Sequence, residues 1–141
     1  MAAYNKFNDF VDQQLIGTHD WDSNTFKIML TNSAPLATNT VKANLTEIAA
    51  GNGYTAGGTA TTITVTESPP GTAVVQGTQV AFTASGGSIG PFQYAVLYND
   101  TAASKNLVAW WDYGSAVTLN AGDSFTVKFN NTTPGTIFTL V

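Results

Sequence analysis

The stretch PFQYAVLYND (Pro91–Asp100), then LVAWWDYG (Leu107–Gly114) and SAVTLNAGDSFTVKF (Ser115–Phe129), decides the fold. In its first segment Phe92, Tyr94, Val96 and Tyr98 alternate with Gln93, Ala95, Leu97 and Asn99. In the second, Leu107, Ala109, Trp111 and Tyr113 alternate with Val108, Trp110 and Asp112. The third sets Val117 and Leu119 before Asn120-Ala121-Gly122-Asp123, and Phe125, Val127 and Phe129 after it. A period of two in aromatic and β-branched residues is the pattern of half-buried antiparallel strands. The glycine-bearing link between Leu119 and Phe125 predicts a hairpin turn.

Upstream, Phe7, Phe10, Val11 and Leu15 fall at helical spacing in KFNDFVDQQLIG, which predicts a short amphipathic helix within residues 1–17, stopped by Gly17. So short a helix is marginal unless it docks on its own sheet or on a neighbouring subunit. Phe26, Ile28 and Leu30 alternate with Lys27, Met29 and Thr31, a strand that ends before Ser33-Ala34-Pro35. Residues 36–61 are rich in Gly, Asn, Thr and Ala. Apart from a short helix expected around Leu45–Ile48, they read as a long loop or extended arm anchored by Tyr54. Further strands are expected at Thr62–Thr66, Ala73–Val75, Gln79–Thr83 and Ile137–Leu140, parted by the turns Ser68-Pro69-Pro70-Gly71 and Asn130–Gly135. About eight strands at this spacing make a sandwich, jelly roll or open barrel. The expectation is a single all-β domain over residues 1–141, mainly antiparallel and sandwich- or jelly-roll-like, with a short N-terminal helix and a long Gly-rich loop.

The chain has 141 residues, enough to bury roughly 68–70% of its unfolded surface in one domain. It has no cysteine, so neither disulfides nor thiolate metal sites help to hold it. Only 10% of residues are charged, against a usual ~25%. The cations are all lysine (Lys6, Lys27, Lys42, Lys105 and Lys128) and the net charge is -4. Neutralising phosphates takes a basic stripe, which this sequence lacks, so no nucleic-acid partner is expected. The Met-Ala-Ala-Tyr-Asn start has no apolar signal-like region and no apolar run approaches spanning length. A soluble product made in a cytosol, with no membrane partner, is the expectation. A surface of threonine, alanine, asparagine and glycine either suits broad, repeated protein contacts or is simply tolerated by an uncharged β protein.

Several short patterns imitate chemistry and fail on context. Gly86-Gly87-Ser88-Ile89-Gly90 fits G-x-S-x-G, but a nucleophile elbow leads into a helix, and here Pro91 and a strand follow. The sole histidine, His19, also lies on the wrong side of Ser88 for that chain order. Gly51-Asn52-Gly53-Tyr54-Thr55-Ala56 fits a dinucleotide fingerprint, yet Gly57 and Gly58 forbid the helix it needs, so a flexible loop is expected. Asp20, Asp22 and Asn24 copy half a calcium loop, with Thr25 and Thr31 where glycine and glutamate belong; a turn is expected there, with His19 on its surface. No carboxylate pair stands out for glycoside hydrolysis. No catalytic residue, cofactor or metal site is expected. Adjacent Trp110 and Trp111 point to opposite faces of a strand. One should be core, the other covered by the helix, buried at an interface, or exposed as a sugar platform.

Three pieces, FKIMLTNSAP, LTEIAAGNGYTAGG, and GPFQYAVLYND with LVAWWDYGSAVTLNAGDSFTVKF, resemble in order and spacing small structural proteins of tailed bacteriophages, the capsid decoration or cement proteins. The likeness covers roughly Phe7 to Phe129, and LTEIAAGNGYTAGG is its most distinctive part. It implies a non-catalytic virion protein assembled in the host cytoplasm. Such proteins bind the outer surface of the head, commonly as homotrimers at threefold axes, and bridge capsomers of the major capsid protein. The expected contact residues are Tyr4, Phe7 and Phe10, the loop residue Tyr54, and Trp110, since tyrosine, phenylalanine and tryptophan make favoured interface anchors. The same aromatics would otherwise complete the subunit's own core. Two other classes stay open: a tail-fibre or spike module that binds a carbohydrate receptor, and a tail-tube or connector subunit.

Overall fold

The computed structural model describes residues 2–141. The chain is all-β and antiparallel, with one short α-helix. In order come β1 (Asn5–Lys6), α1 (Asp9–Leu15), β2 (Phe26–Thr31), β3 (Thr59–Thr61), β4 (Ile63–Glu67), β5 (Ala73–Gly77), β6 (Val80–Thr83), β7 (Ile89–Asn99), β8 (Leu107–Leu119), β9 (Ser124–Val127) and β10 (Gly135–Leu140). Single 3-10 turns occur at Lys42–Asn44 and Phe129–Asn131. A five-stranded sheet has the order β1-β8-β7-β2-β3, a three-stranded sheet β10-β5-β4, and a ribbon β6-β9.

The central strands are apolar on both sides, and each side has its own cluster. Phe26, Ile28 and Leu30 of β2, with Ala95 and Leu97 of β7, join Val75, Phe82, Val127 and Ile137 of the smaller sheets in the main core. This is the sandwich. On the opposite face Met29, Val96, Tyr98 and Leu107 are roofed by Phe7 and Leu45, with Trp110 packed alongside. Each fully buried Leu, Ile or Phe contributes about 1.5–3 kcal/mol of transfer free energy, so the second cluster is a structural layer in its own right.

Four expectations need correction. The turn at Asn120–Asp123 is tight, with the Asp123 N–H donating to the Asn120 carbonyl at 2.8 Å, but it makes no hairpin. The strand before it runs unbroken from Leu107 and pairs with β7, whereas β9 crosses to pair with β6. The helix is shorter than expected: Phe7 precedes it and seals the second cluster, Phe10 is its one buried residue, and Val11 and Leu15 are exposed. Asn5 and Lys6 pair instead with Trp110 and Ala109 at the sheet edge, which fixes where the helix can begin. It does stop at Gly17, where the Thr18 and Gly17 N–H groups donate to the Gln13 and Gln14 carbonyls, a Schellman closure.

The segment 36–61 is no extended arm. Its 3-10 turn sits at Lys42–Asn44 rather than Leu45–Ile48, and its last residues form β3 on the large sheet. The supposed flexible loop at Gly51–Ala56 holds a hydrogen-bonded two-residue turn, with φ of 56° at Asn52 and 100° at Gly53, the Asn-Gly signature of type I′. Lastly, His19 is buried beneath α1 instead of lying on a surface turn. Trp21, adjoining it, stacks on Phe26 at 3.8 Å and so belongs to the main core.

A candidate aromatic binding cleft

Between the pairs Phe92↔Val117 and Tyr94↔Asp112, five residue steps on β8 face two on β7. The surplus pushes Tyr113 to Ala116 out of the ladder as a wide bulge, which bends the strand. The Asp112 carboxylate braces the bend by accepting the Gly114 N–H at 2.7 Å and the Gln93 amide at 2.9 Å. Tyr113 is thereby carried over Phe125 of β9, edge to face at 5.3 Å.

An open cleft of about 250 Å³ results. Phe92, fully buried and 5.0 Å from Phe125, lies at its base, and Trp111, Tyr94 and Tyr113 line it. Gln93, Lys128 and Asn131 bring polar groups to the same cleft. Trp111 is held from behind by Phe129 at 5.4 Å and flanked by Tyr4 at 5.8 Å. Rigid aromatic walls with a few polar groups are the make-up of a recognition pocket. The Asp112 carboxylate is engaged by the bulge, and the residues lining the cleft include no histidine. Among the described residues no group of three or more His, Asp or Glu side chains could hold a metal. No described helix is long and apolar enough to cross a membrane.

Of the expected contact residues the structure brings only Tyr4 to this region. Phe7 packs on Trp110 at 4.6 Å in the second cluster, Phe10 on Phe138 at 5.3 Å, and Tyr54 on Phe82 at 5.6 Å. Phe7, Phe10 and Tyr54 are fully committed to the subunit's own interior, so none is a free surface anchor, while Trp110 is half-buried. Trp110 and Trp111 do point to opposite faces, but Trp111 is the one beside the cleft. On β8 the shared parity of Trp111 and Tyr113 was a usable sign that one strip of wall was being built, whereas on β7 a register shift parts Phe92 from Tyr94. The bulge that opens the strip had only Gly114 to mark it.

The imitated motifs fall elsewhere. Ser88 is exposed before β7, and its carbonyl accepts the Asn52 amide at 3.0 Å. The Asp20 carboxylate accepts the Ser23 hydroxyl at 2.6 Å and the N–H groups of Asp22 and Ser23. These bonds hold it below the usual carboxylate range and close the turn that was expected there. No family model, no curated protein and no solved structure matches this chain.

Proposed function

We propose that this chain is a structural protein of a tailed-phage virion, a decoration protein on the outer surface of the head whose cleft receives an apolar anchor from the major capsid protein. The observation that carries the reading is the cleft: pre-formed, aromatic, uncharged at its base and set in a surface with few charges. At about 250 Å³ it lies below the ~300–1,000 Å³ of sites for drug-sized molecules, and its scale is that of one anchoring side chain. The likeness of FKIMLTNSAP, LTEIAAGNGYTAGG and the Pro91–Phe129 stretch to decoration proteins supports it from the sequence side. Modest single contacts suffice, because a homotrimer bridging capsomers gains avidity through effective concentration.

Copy number in purified virions tests the assignment: a count comparable to the major capsid protein is expected, and a few copies per particle would overturn it. Binding of the purified protein to expanded heads that lack it tests the cleft. Trp111→Ala should weaken binding at least tenfold, as loss of a central aromatic anchor does.

A second reading has the same cleft in its favour. Trp111 and Tyr113 offer aromatic surface to a sugar ring, with Gln93, Lys128 and Asn131 as hydrogen-bonding groups. This would make the chain a receptor-binding module of a fibre or spike. Quenching of tryptophan fluorescence by host glycans, lost in Trp111→Ala, is its expected mark.

A further inference from the structure

We infer that β4 is a self-pairing edge through which two copies of this chain join across a two-fold axis. β4 is the outer strand of the sheet β10-β5-β4. Its hydrogen-bond phase is set at both ends. The Thr78 N–H donates to the Thr62 carbonyl and the Ser68 N–H to the Thr72 carbonyl, each at 3.0 Å. The register with β5 runs between them without a shift. Residues 62, 64, 66 and 68 therefore turn their backbone groups toward β5, and Ile63, Val65 and Glu67 turn theirs outward.

Natural sheet edges are blunted by shortness, bulges, proline or charge. Other edges here follow that rule: β1 has two residues, β3 has three, β6 has four, β10 carries a register shift, and β9 is bracketed by Asp123 and Lys128. β4 has none of these devices between Thr62 and Thr66, and its side chains from Thr64 onward are exposed. Its one charge, Glu67, is folded back onto the adjoining turn, where it accepts the Gly71 N–H at 2.7 Å.

The occupant this edge fits is its own copy. Thr62-Ile63-Thr64-Val65-Thr66 has the same polar and β-branched pattern in both directions. Antiparallel pairing centred on Thr64 sets Thr62 opposite Thr66 of the second copy and Ile63 opposite Val65. The outward backbone groups of Ile63 and Val65 then exchange hydrogen bonds, and no charge is opposed to another. Centring on Val65 instead would set Ile63 against Glu67, so the sequence also selects the register. Val65 (46% exposed) and Leu140 (61%) lie on one face of this sheet, through the pairs Val65↔Val75, Glu67↔Ala73 and Leu140↔Ala73. Joining two sheets edge to edge continues that apolar strip. The contact closes at two copies, so it is separate from any threefold contact and does not depend on the capsid reading.

The test uses the full chain, which has no cysteine of its own. In the Thr64-centred register the two Thr64 residues form a non-hydrogen-bonded pair with Cα atoms about 4.5 Å apart. That lies within the ~4.4–6.8 Å a disulfide spans. Thr64→Cys should give a disulfide-linked dimer under mild oxidation, and Thr66→Cys, whose counterpart is Thr62, should not. In sedimentation velocity the unmodified chain should dimerise as concentration rises. Val65→Pro should raise the dimer dissociation constant at least tenfold, because proline there removes only an outward N–H. A chain that stays monomeric at every concentration, a trimer in which Thr64→Cys fails to cross-link, or equal cross-linking of the two cysteine variants would overturn the inference. Should Val65→Pro not fold, the cysteine pair decides alone.

Discussion

His19 sits 5.5 Å from the Phe10 ring and 5.9 Å from that of Phe26, with its Nδ1 3.2 Å from the Asn99 amide nitrogen. The two hydrogens of that amide are shared among His19 Nδ1, the Asn24 side chain and the Thr18 carbonyl, and His19 Nε2 is buried without a partner. Burial pushes its pKa down from 6.5 to about 4, with the Asp9 charge opposing in part. The folded state thus binds fewer protons than the unfolded state between those values. Stability from this group is complete above about pH 6.5 and is lost as pH falls toward 4, by roughly 3 kcal/mol. Asp20 and Asp100 are held below the carboxylate range, so their losses come at lower pH. For Asp100, burial works against the shift and Lys27 and Lys105, at 3.0 and 3.1 Å, outweigh it. Urea midpoints measured from pH 7 to 4 should fall steeply in the native chain and stay nearly level in His19→Leu. Asn99 should tolerate that change, because its amide also donates to the Asn24 side chain at 2.9 Å and the Thr18 carbonyl at 3.2 Å. An unchanged slope in the variant would show that other groups carry it. None of this burial was legible in THDWDSN, where one histidine and one tryptophan stand among turn-forming polar residues.

The element that departs furthest from its sequence reading is the segment 36–61. Glycine, asparagine and threonine mark it as irregular, and in chain geometry most of it is. Composition does not reveal that it finishes the edge of a sheet. β3 pairs with β2 only as far as Ile28, and beyond that point the segment takes over. The Leu30 N–H donates to the Tyr54 phenol oxygen at 3.0 Å, the Ile48 N–H to the Leu30 carbonyl at 3.1 Å, and the Thr31 hydroxyl to the Thr46 carbonyl at 2.5 Å. The Tyr54 hydroxyl in turn donates to Glu47 Oε1 at 2.7 Å, which also accepts the Gly57 N–H at 2.6 Å. Burial above all pushes the Tyr54 phenol far up, so it stays protonated and able to donate. Tyr54 is an anchor, as its isolation in a glycine-rich stretch suggested, but it anchors the segment to its own sheet. Tyr54→Phe should cost about 1–3 kcal/mol in urea unfolding, the penalty of leaving the Leu30 N–H without an acceptor. Gly58→Ala should cost more than about 1 kcal/mol, since φ there is +80° and a Cβ would fall 1.9 Å from the Ile28 carbonyl oxygen. A Tyr54→Phe midpoint equal to the native one would mean that the contact is made only in passing.

At the scale of the whole molecule, the strands were legible and their partners were not. Period-two alternation reports which residues share a face, and it correctly marked β2, Ala95–Leu97 of β7 and Ala109–Trp111 of β8, while Phe92 and Leu107 fall on the opposite faces across register shifts. A tight turn looks the same in sequence whether the chain returns beside itself or crosses to another sheet, so the route from β8 to β9 was hidden. The cleft was hidden with it, because it exists only where β9 passes over the β8 bulge. This architecture separates two adjacent residues that sequence alone treats alike. Trp110 faces the second cluster and closes over Phe7; Trp111 faces the cleft with Phe129 behind it. Trp110→Ala should therefore destabilise the fold by about 3 kcal/mol, the lower end for a large aromatic because the ring is only half-buried. Its binding to heads or glycans should be unchanged at temperatures where it remains folded. Trp111→Ala should show the reverse balance, a smaller loss of stability and a binding defect of at least tenfold. Thermal unfolding and binding measured on both variants form a two-by-two comparison. Equal binding defects in the two would move the functional surface away from the cleft, to a region that both faces of the large sheet support.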